Sequence, residues 1–556
     1  MTTSLQNSIR VRYDADMSML RPAALLATCA LANAQEAVAP IAPQVLVETV
    51  GPDGWRARLG PTNLGVLLAS AEGRALWEPA VAPCLGMWTS ISGGPQAYRD
   101  ASERLFGFRG VVRVAWGMNQ QGEAAFAVVI DNDLQTDLRA VAADLRSVIE
   151  ATTPGQWRPQ IIAGEEVMVR ERAGTFLSSP RVDGGQMSML GGESDEPERA
   201  AGLRAWLNAR PTTLTEPRPG SPAARVTIDL QRAMEFDADE RQQPMMKALG
   251  LDALRRLVLT ISAAGPHLQI GADVEIKGAP RGIVRAFMPP SAGISGLVSL
   301  LPDATSVTKV GRFDPRALVS SVLDLAEAEL GSAREEAADR FGLELDDDLF
   351  AHATDELLVL GQPLRDFDRV REATWGLAWR LRDEAKFRAG FQKVTKQIKG
   401  FLSPSETVDV DGVELRRYGN LLRYDVWMAV GNGLWVLTAG RDAEEEATAL
   451  LRKAASRQWS TVTTPPRGFD DLARYLPAGC NGVARADLAG IADMPIDWWL
   501  EAVPDLLPRD LRPQVDEDLA EDQREIVREM LIANRLSVLR TATGTSDGTW
   551  RWRMFW

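Results

Sequence analysis

The chain has 556 residues, a formal net charge of −14 at pH 7, and 45% hydrophobic and 25% charged residues. This composition is typical of a globular protein and excludes a disordered or collagen-like chain, while the length predicts several domains. A net acidic surface argues against nucleic acid as a partner, because phosphates demand a basic face, and it disfavours adsorption to anionic lipid.

The N-terminal 34 residues have the pattern of an export signal. Arg21 supplies a positive charge, residues 22–31 form a short apolar core, and Ala32-Asn33-Ala34 is a small-residue cleavage site. The apolar core is too short to span a bilayer, which needs about 20 residues. We expect cleavage after Ala34 and a mature protein in the periplasm or outside the cell, with no transmembrane segment.

The start of translation stays open between Met1, Met17 and Met19, because two aspartates before Met17 are unlike a signal peptide. A cytoplasmic protein with an apolar first helix is the alternative to export. Lipid attachment at Cys29 is the weaker alternative, because a threonine precedes that cysteine.

After this extension the chain predicts a first module at residues 35–290, made of a long unit and a short one. The long unit, 46–212, predicts a strand at Trp55–Leu59, helices at Leu67–Trp77 and Gln96–Leu105, strands at Val111–Trp116 and Ala124–Ile130, a helix with an apolar stripe from Leu134 to Val148, turns at Ala163-Gly164 and Asp183-Gly184, and a helix at Glu196–Asn208. The short unit, 222–290, predicts strands at Arg225–Leu230, Leu257–Ile261 and Leu268–Ile276, with helical sequence up to Leu249.

The second module, residues 297–556, repeats this order. Its long unit, 297–458, predicts a strand at Ser306–Val310, a helix beginning at Asp314-Pro315, a break at Phe341-Gly342-Leu343, a strand at Trp375–Leu381, a helix with an apolar stripe from Phe387 to Phe401, turns at Asp411-Gly412 and Asn432-Gly433, and a helix at Ala443–Lys453. Its short unit, 468–556, predicts strands at Val483–Leu488, Leu536–Arg540 and Trp550–Trp556, and a helix at Asp518–Asn534.

The matching order of signals predicts the fold class. Apolar residues recur at steps of three and four in both long helices, as expected for one buried helix face. Asx-Gly pairs are typical of two-residue hairpins, because both turn residues need a positive φ. We therefore predict an α+β fold of two homologous modules, each a long plus a short unit of antiparallel sheet with helices packed on one face.

Catalytic signatures are missing from the sequence. The two histidines, His267 and His352, form no recognisable pairing with a serine or cysteine nucleophile and nearly exclude a His-based zinc site. There is no glycine-rich nucleotide-binding loop, and residues 293–296 lack the spacing of a nucleophile elbow. We predict no catalytic, metal-ligating or cofactor-binding residues and no cofactor, although a distant pair of carboxylates stays open.

Three other features favour structural interpretations. The acidic run Glu344–Asp348 is typical of a solvated helix start rather than a cation site, because no calcium-loop pattern accompanies it. Cys84 and Cys480 permit one disulfide between the modules, but two separate buried thiols are favoured, since a chain this large has enough core. Trp498-Trp499 is a possible sugar- or partner-binding patch, whereas Trp375, Trp379, Trp427 and Trp435 alternate as core residues do.

Several of these motifs resemble a group of exported bacterial proteins of unknown function that is associated with planctomycetes. The motifs are Leu301-Pro302-Asp303-Ala304, Phe341-Gly342-Leu343, Asp355–Leu360, Asp411-Gly412-Val413 and Asn432–Leu437. The resemblance covers mainly residues 297–458 and, more faintly, 46–212. It implies an exported protein with repeated units, and it supplies no activity or catalytic residues to carry over.

These observations favour a non-enzymatic exported envelope or periplasmic protein that binds an envelope protein or polymer. The alternative is a periplasmic hydrolase or small-ligand binder with a site in the cleft between the two modules. An extended exposed apolar patch would favour the first function, and a cluster of carboxylates with raised pKa values facing a pocket would favour the second.

Overall fold

The protein is described by a computed structural model of the following residues: 39–70, 110–119, 121–131, 137–153, 155–214, 220–237, 242–289, 293–300, 307–330, 345–361, 374–397, 404–421, 424–456, 468–487 and 538–556. They belong to two compact units. Unit 1 is drawn from Met1–Pro61, Trp77–Phe236 and Val258–Ala263, and unit 2 from Thr62–Leu76, Asp237–Leu257 and Ala264–Trp556. The division at residues 35–290 and 297–556 follows repeated sequence patterns and stays a prediction.

Unit 1 consists of strands joined by short turns and, in the part of the chain that the structure describes, four longer connections that contain helices. Its elements are β1 Val45–Val50, α1 Pro52–Leu59, β2 Val111–Met118, β3 Ala124–Asp131, α3 Leu138–Thr152, β4 Arg158–Ile162, β5 Glu165–Arg172, β6 Thr175–Ser178, β7 Arg181–Asp183, β8 Gln186–Glu193, α4 Pro197–Asn208, β9 Ala224–Asp229, α5 Leu230–Asp237 and the middle of β10 Leu254–Ala264. The strands pair antiparallel in the order β9–β1–β2–β3–β8–β6–β5–β4, with β7 also beside β8.

Helices cover both faces of the unit 1 sheet. The buried sheet residues that pack with α3 are Val128, Ile130, Met187 and Met189. Those that pack with α4 on the opposite face are Ala125, Ala127, Val129 and Leu190. The prediction of helices on one face is therefore wrong here, because β3 is apolar at consecutive positions and each set of alternate residues needs its own cover.

Unit 2 contains a longer antiparallel sheet. Its elements are α2 Asn63–Ala69, α6 Gln242–Ala248, β11 His267–Ile276, α7 Gly282–Phe287, β12 Val307–Arg312, α8 Pro315–Leu330, β13 Ala353–Gly361, β14 Trp375–Leu381, α9 Glu384–Gln397, β15 Glu406–Val410, β16 Val413–Leu421, β17 Tyr424–Gly431, β18 Leu434–Ala439, α10 Ala443–Ala455, β19 Cys480–Asp487, β20 Val538–Ser546 and β21 Thr549–Phe555. The strand order is β11–β21–β20–β19–β12–β13–β14–β18–β17–β16–β15.

The unit 2 sheet is also covered on both faces. Ala378, Ala429 and Val436 pack with the buried leucines of α10. Trp379, one residue further along β14 and so on the opposite face, packs with Phe387 of α9. The described residues thus form an α+β arrangement dominated by antiparallel strands, and among them no helix has the length and apolar character needed to cross a membrane.

The segment Trp55–Leu59 is helical rather than a strand. Helix α1 starts at Pro52, directly after Gly51 and strand β1, and carries Asp53 in its first turn. Proline is favoured at this position because its missing N–H has no helical partner anyway. The strand at Trp55–Leu59 was predicted from the alternation of apolar and polar residues, and this prediction is wrong. The strand in this region is β1, which begins ten residues earlier at Val45.

Local turn and cap signals were more reliable. Asp411-Gly412 and Asn432-Gly433 both have positive φ at each residue, as predicted for two-residue hairpins. The hairpin near residue 184 is shifted by one position, because its positive-φ residues are Gly184 and Gly185. Helix α8 begins as predicted, with Asp314 Oδ1 accepting from the Ala317 N–H at 3.1 Å.

Several predictions lie outside the described residues. They are the signal peptide, the helices at Gln96–Leu105 and Asp518–Asn534, Phe341-Gly342-Leu343, Cys84 and Trp498-Trp499.

Candidate interaction surface

Two backbone hydrogen bonds connect α6, α7 and α8 of unit 2. The Ile283 N–H donates to the Leu249 carbonyl at 3.0 Å, which joins the start of α7 to the end of α6. The Asp314 N–H donates to the Ala286 carbonyl at 2.8 Å, which joins α7 to the residue before α8. Gly282 has φ +58°, and a Cβ there would overlap the backbone of Leu249, so this close approach requires glycine.

A large apolar side chain is exposed on each of these helices. Met245 on α6 is 37% exposed, Phe287 on α7 is 52% exposed and Val322 on α8 is 53% exposed. We call these three residues the helical patch. Single exposed apolar residues are ordinary, whereas apolar side chains exposed on helices that contact one another are candidates for a partner-binding surface.

Phe287 is held in its exposed position by its neighbours. Ala286 and Met288, on either side of it, are buried. Its ring makes an edge-to-face contact with Phe313, with the ring centroids 5.4 Å apart. The Phe287 side chain is therefore anchored at one edge while half of its surface faces solvent.

The exposed arginines on or beside these helices are each paired with an acid, Arg281 with Asp252, Arg285 with Asp314 and Arg316 with Asp347. Arg281, Arg285 and Arg316 each expose more than half of the side chain. Arg285 Nε lies 3.4 Å from Asp314 and Arg316 Nη2 lies 3.3 Å from Asp347. Such exposed pairs contribute little to stability, typically about 0–1 kcal/mol.

Sequence reasoning missed the helical patch. Phe287 stands between small and apolar residues in a segment without strong periodicity, and Val322 belongs to a stripe that reads as a buried helix face. The sequence shows that α6 and α7 contain apolar residues. Which of these side chains remain exposed to solvent depends on how the three helices pack together.

A second cluster, centred on Glu356 of β13, is buried and charged. Glu356 accepts from Arg380 Nη1 at 2.7 Å and from Ser295 Oγ at 2.6 Å. Arg312 Nη1 lies 3.6 Å from Glu356 and donates to Asp355 at 2.9 Å. Ser295 is fully buried, so its hydroxyl is closed to a substrate, and the cluster pairs opposite charges as a buried network must.

The first predicted histidine lies in a third polar cluster. His267 Nε2 is 2.8 Å from Asp471 Oδ2, and Arg540 donates to both Asp471 oxygens at 2.7 and 3.1 Å. Burial lowers the pKa of His267, and the Arg540 cation adds to this effect against the opposing influence of Asp471. Burial alone would raise the pKa of Asp471, but hydrogen bonds from Arg540 and His267 outweigh it and lower the pKa.

This third cluster is not arranged for nucleophilic catalysis. The side chain of His267 contacts the Asp471 carboxylate and the Arg540 guanidinium, whereas covalent hydrolysis pairs the imidazole with a hydroxyl or a thiol. The cluster instead ties the turn Asp470–Tyr475 to strands β11 and β20.

The remaining predicted positions have structural contacts. The backbone carbonyl of His352 accepts from Arg382 and Asp383, and Asp348 pairs with Lys393 at 2.6 Å. In the predicted Asp411-Gly412 turn, the Gly412 N–H donates to the Asp409 carboxylate at 3.0 Å. Within the described ranges no three histidine, cysteine or acidic residues are grouped to hold a metal ion.

The tryptophan and cysteine positions differ in their roles. Trp379 and Trp427 are buried, and Trp379 makes an edge-to-face contact with Trp435 at 6.2 Å, so the predicted core role of these residues is confirmed. Cys480 is a half-buried free thiol, and burial raises its pKa to about 11.

Comparisons with known proteins give little guidance. No protein-family description and no curated protein matches the sequence. Crystal form III of TP0453 is similar over 46% of this chain and 85% of its own, at 11% identity and a TM-score of 0.23. Crystal forms I and IV match over 45% and 44% of this chain and 81% of their own, at 11% and 12% identity and TM-scores of 0.22. Similarity this low supports no structural or functional argument.

Proposed function

We propose that the protein is a non-enzymatic, exported envelope protein that binds a protein partner through the helical patch. The observation that carries this proposal is the exposure of Met245, Phe287 and Val322 on three helices that contact one another. Exposed apolar surface is unfavourable in water by about 25 cal/mol per Å², and a partner that covers it recovers that free energy.

The composition of the surface supports a protein partner. Phenylalanine, methionine and arginine are enriched at protein–protein interfaces, and the helices of the helical patch contain all three. The most strongly contributing interface residues are usually a few large side chains surrounded by weaker contacts. Phe287, anchored on Phe313 and half exposed, has the character of such a residue.

A co-purification experiment tests this role. The tagged chain, the double variant Phe287→Ser/Val322→Ser and a control Ile161→Ser are cross-linked in cells and purified from the envelope fraction. Ile161 is 64% exposed on strand β4 of unit 1, so this control removes one exposed apolar side chain outside the helical patch. We expect one protein to be lost from the double variant and retained by the control. Identical co-purifying proteins for all three chains would contradict the proposal.

We further propose that the chain contains two copies of one ancestral unit. The order β9–β1–β2–β3–β8 in unit 1 parallels β19–β12–β13–β14–β18 in unit 2. A helix follows β3 and β14, and another follows β8 and β18.

Buried charges add support for the duplication. In unit 1, Glu48 of β1 lies opposite Arg113 of β2, and Arg113 pairs with Asp131 of β3. In unit 2, Arg312 of β12 lies opposite Glu356 of β13, and Glu356 pairs with Arg380 of β14. The corresponding strands carry the same arrangement with every sign reversed, which preserves charge pairing while the residues change.

Export is part of the same proposal. Its support is the apolar segment 22–31 and the cleavage pattern Ala32-Asn33-Ala34. Intact-mass measurement of the protein isolated from its own cells tests it. A mature chain beginning at Gln35 is the expected result, and a cytoplasmic chain that keeps residues 17–34 would contradict export.

A further inference from the structure

We propose that Asn432 is a site of deamidation that folding keeps unreactive, because the turn Asn432-Gly433 is hydrogen-bonded to two helices of unit 2. Asn-Gly is the dipeptide in which deamidation is chemically easiest, since glycine has no side chain to shield its backbone nitrogen. The sequence contains this pair at 432–433 and at 481–482. The modification is independent of the binding role proposed for the helical patch.

The reaction requires only the chain and water. The backbone nitrogen of Gly433 attacks Cγ of Asn432, a new N–Cγ bond forms, the Cγ–Nδ2 bond breaks, and the Gly433 N–H proton leaves with the departing ammonia. One water molecule then opens the resulting succinimide ring at either of its carbonyls. The product is aspartate or isoaspartate at position 432, and no atom is oxidised or reduced.

Both reacting groups are hydrogen-bonded in the folded protein. Nδ2 of Asn432 donates to the carbonyl of Leu451 in α10 at 3.0 Å. The Gly433 N–H donates to Oε2 of Glu384, in the first turn of α9, at 2.9 Å. The second bond is of the stronger type, because its acceptor is a carboxylate. Attack requires Cγ of Asn432 to turn onto the Gly433 nitrogen, and this movement breaks both bonds.

The carboxylate of Glu384 is itself held in place. Its other oxygen accepts from Arg388 Nη2 at 2.5 Å. The same Arg388 nitrogen donates at 2.8 Å to the carbonyl of Val430, which lies in β17 just before the turn. The Asn432-Gly433 turn is therefore released only when α9 or α10 separates locally from the β17–β18 hairpin. Deamidation should follow this local opening, which is rarer than the fraying of an exposed turn.

The turn Asp411-Gly412 in the same unit provides a matched comparison. Asp411 has φ +53° and Asn432 has φ +54°, and the glycine that follows each also has positive φ. Asp411 and Gly412 are exposed, and the Gly412 N–H donates to Asp409 of its own hairpin rather than to a helix. The Asp411 carboxylate has an exposed ion pair with Arg452, which an amide at this position would lose. The Asp411→Asn variant thus places Asn-Gly in the same kind of turn without this pair of helix contacts.

Deamidation would also prevent the turn from returning to its folded contacts. A carboxylate at position 432 has no proton to donate to the Leu451 carbonyl, so two acceptors would face each other. It would also place a negative charge near Glu384 and near the C-terminal end of α10, where the helix dipole is negative. The modification would therefore mark chains in which this part of unit 2 has opened.

Peptide mapping by mass spectrometry tests the proposal on the full-length chain. The wild type, Asp411→Asn and Glu384→Ala are incubated at mildly alkaline pH in buffer and in concentrated urea, and the conversion of each asparagine is followed over time. Asp411→Asn contains both turns as Asn-Gly, so the two sites are compared within one molecule. Mapping also separates the pair at 481–482, where Asn481 is 3% exposed within β19.

We expect position 411 of the variant to deamidate at least about tenfold faster than Asn432 in buffer, and the two positions to react at similar rates in urea. Glu384→Ala should raise the rate at Asn432 in buffer, because it removes the acceptor of the Gly433 N–H. The separate variant Asn432→Asp, which reproduces one product of the reaction, should lower the urea midpoint of unfolding.

Three results would overturn the proposal. Equal rates at the two positions in buffer would show that the turn alone sets the rate. A ratio of rates in urea as large as the ratio in buffer would assign the difference to neighbouring sequence instead of folding. An Asn432→Asp variant with an unchanged urea midpoint would show that the modified turn still forms its folded contacts.

Discussion

Ser295 Oγ donates a 2.6 Å hydrogen bond to Oε2 of Glu356, and both side chains are almost completely buried. The other oxygen of Glu356 accepts from Arg380. Glu356 therefore links the segment that precedes the turn Gly296–Leu300 to the centre of the unit 2 sheet.

Replacement of Glu356 by glutamine should strongly destabilise unit 2. The neutral amide removes the carboxylate charge that pairs with Arg380, whereas Arg312 keeps its pair with Asp355, and removing one partner of a buried ion pair costs about 3–5 kcal/mol. Ser295→Ala removes one hydrogen bond to the carboxylate and should cost about 1–3 kcal/mol. Urea unfolding followed by tryptophan fluorescence measures the stability of both variants.

Asp411→Asn, which breaks an exposed pair with Arg452, is the control and should leave the urea midpoint unchanged. An equally small effect of Glu356→Gln would contradict the role of the cluster.

His267 should make stability depend on pH in mildly acidic solution. Its pKa in the folded protein is lower than that of an unfolded chain, about 6.5, so the unfolded state binds the proton more readily. The stabilisation from keeping His267 neutral is complete above about pH 6.5 and is lost as the pH falls toward the folded pKa. Thermal unfolding measured between about pH 7.5 and 5 should therefore show a fall that is reduced in His267→Gln. An unchanged pH profile in the variant would rule out this explanation.

Replacement of Gly282 by alanine should reduce the stability of the protein by more than its positive φ angle alone accounts for. Gly282 and Gly412 both have positive φ, but a Cβ at 282 would overlap Leu249, whereas a Cβ at 412 meets open space. Gly412→Ala should cost about 1–2 kcal/mol for the left-handed conformation alone. Gly282→Ala should cost about 1–3 kcal/mol more because α7 must move away from α6. Chemical denaturation of the two variants gives the difference, and equal costs would show that α7 moves without loss.

Cys480 should react slowly with alkylating reagents in the folded protein. Its pKa of about 11 leaves nearly all of the group as the unreactive thiol at pH 8. In a Cys29→Ser/Cys84→Ser background, iodoacetamide labelling followed by mass spectrometry should be much faster in denaturant than in buffer. Comparable rates in the two conditions would indicate that the thiol is accessible and ionised.

Features that depend on a few neighbouring residues could be predicted from the sequence, whereas features that depend on tertiary packing could not. Asp314-Pro315 and Asn432-Gly433 were predicted well, because a helix cap and a hairpin turn are decided within four residues. Trp55–Leu59 was assigned the wrong element because five residues of alternation do not distinguish a strand from a short helix.

Long-range partners could not be predicted in the same way. Glu356 contacts side chains from residues 295, 312 and 380, whose convergence depends on the pairing of β12, β13 and β14. The exposure of Phe287 likewise depends on how α6, α7 and α8 pack, and this packing cannot be predicted from the sequence of any one of the three helices.

The pairing of β11 with β21 has a consequence for synthesis. Gln269 lies opposite Phe555, so about half of the chain length separates two neighbouring strands. During translation, β11 leaves the ribosome long before β21 does. Until β21 has been made, the backbone N–H and C=O groups along one edge of β11 lack their final hydrogen-bond partners. Such delayed pairing makes folding slow and leaves an edge open to other chains in the meantime. A chaperone that holds the growing polypeptide until β21 has been made would protect this edge.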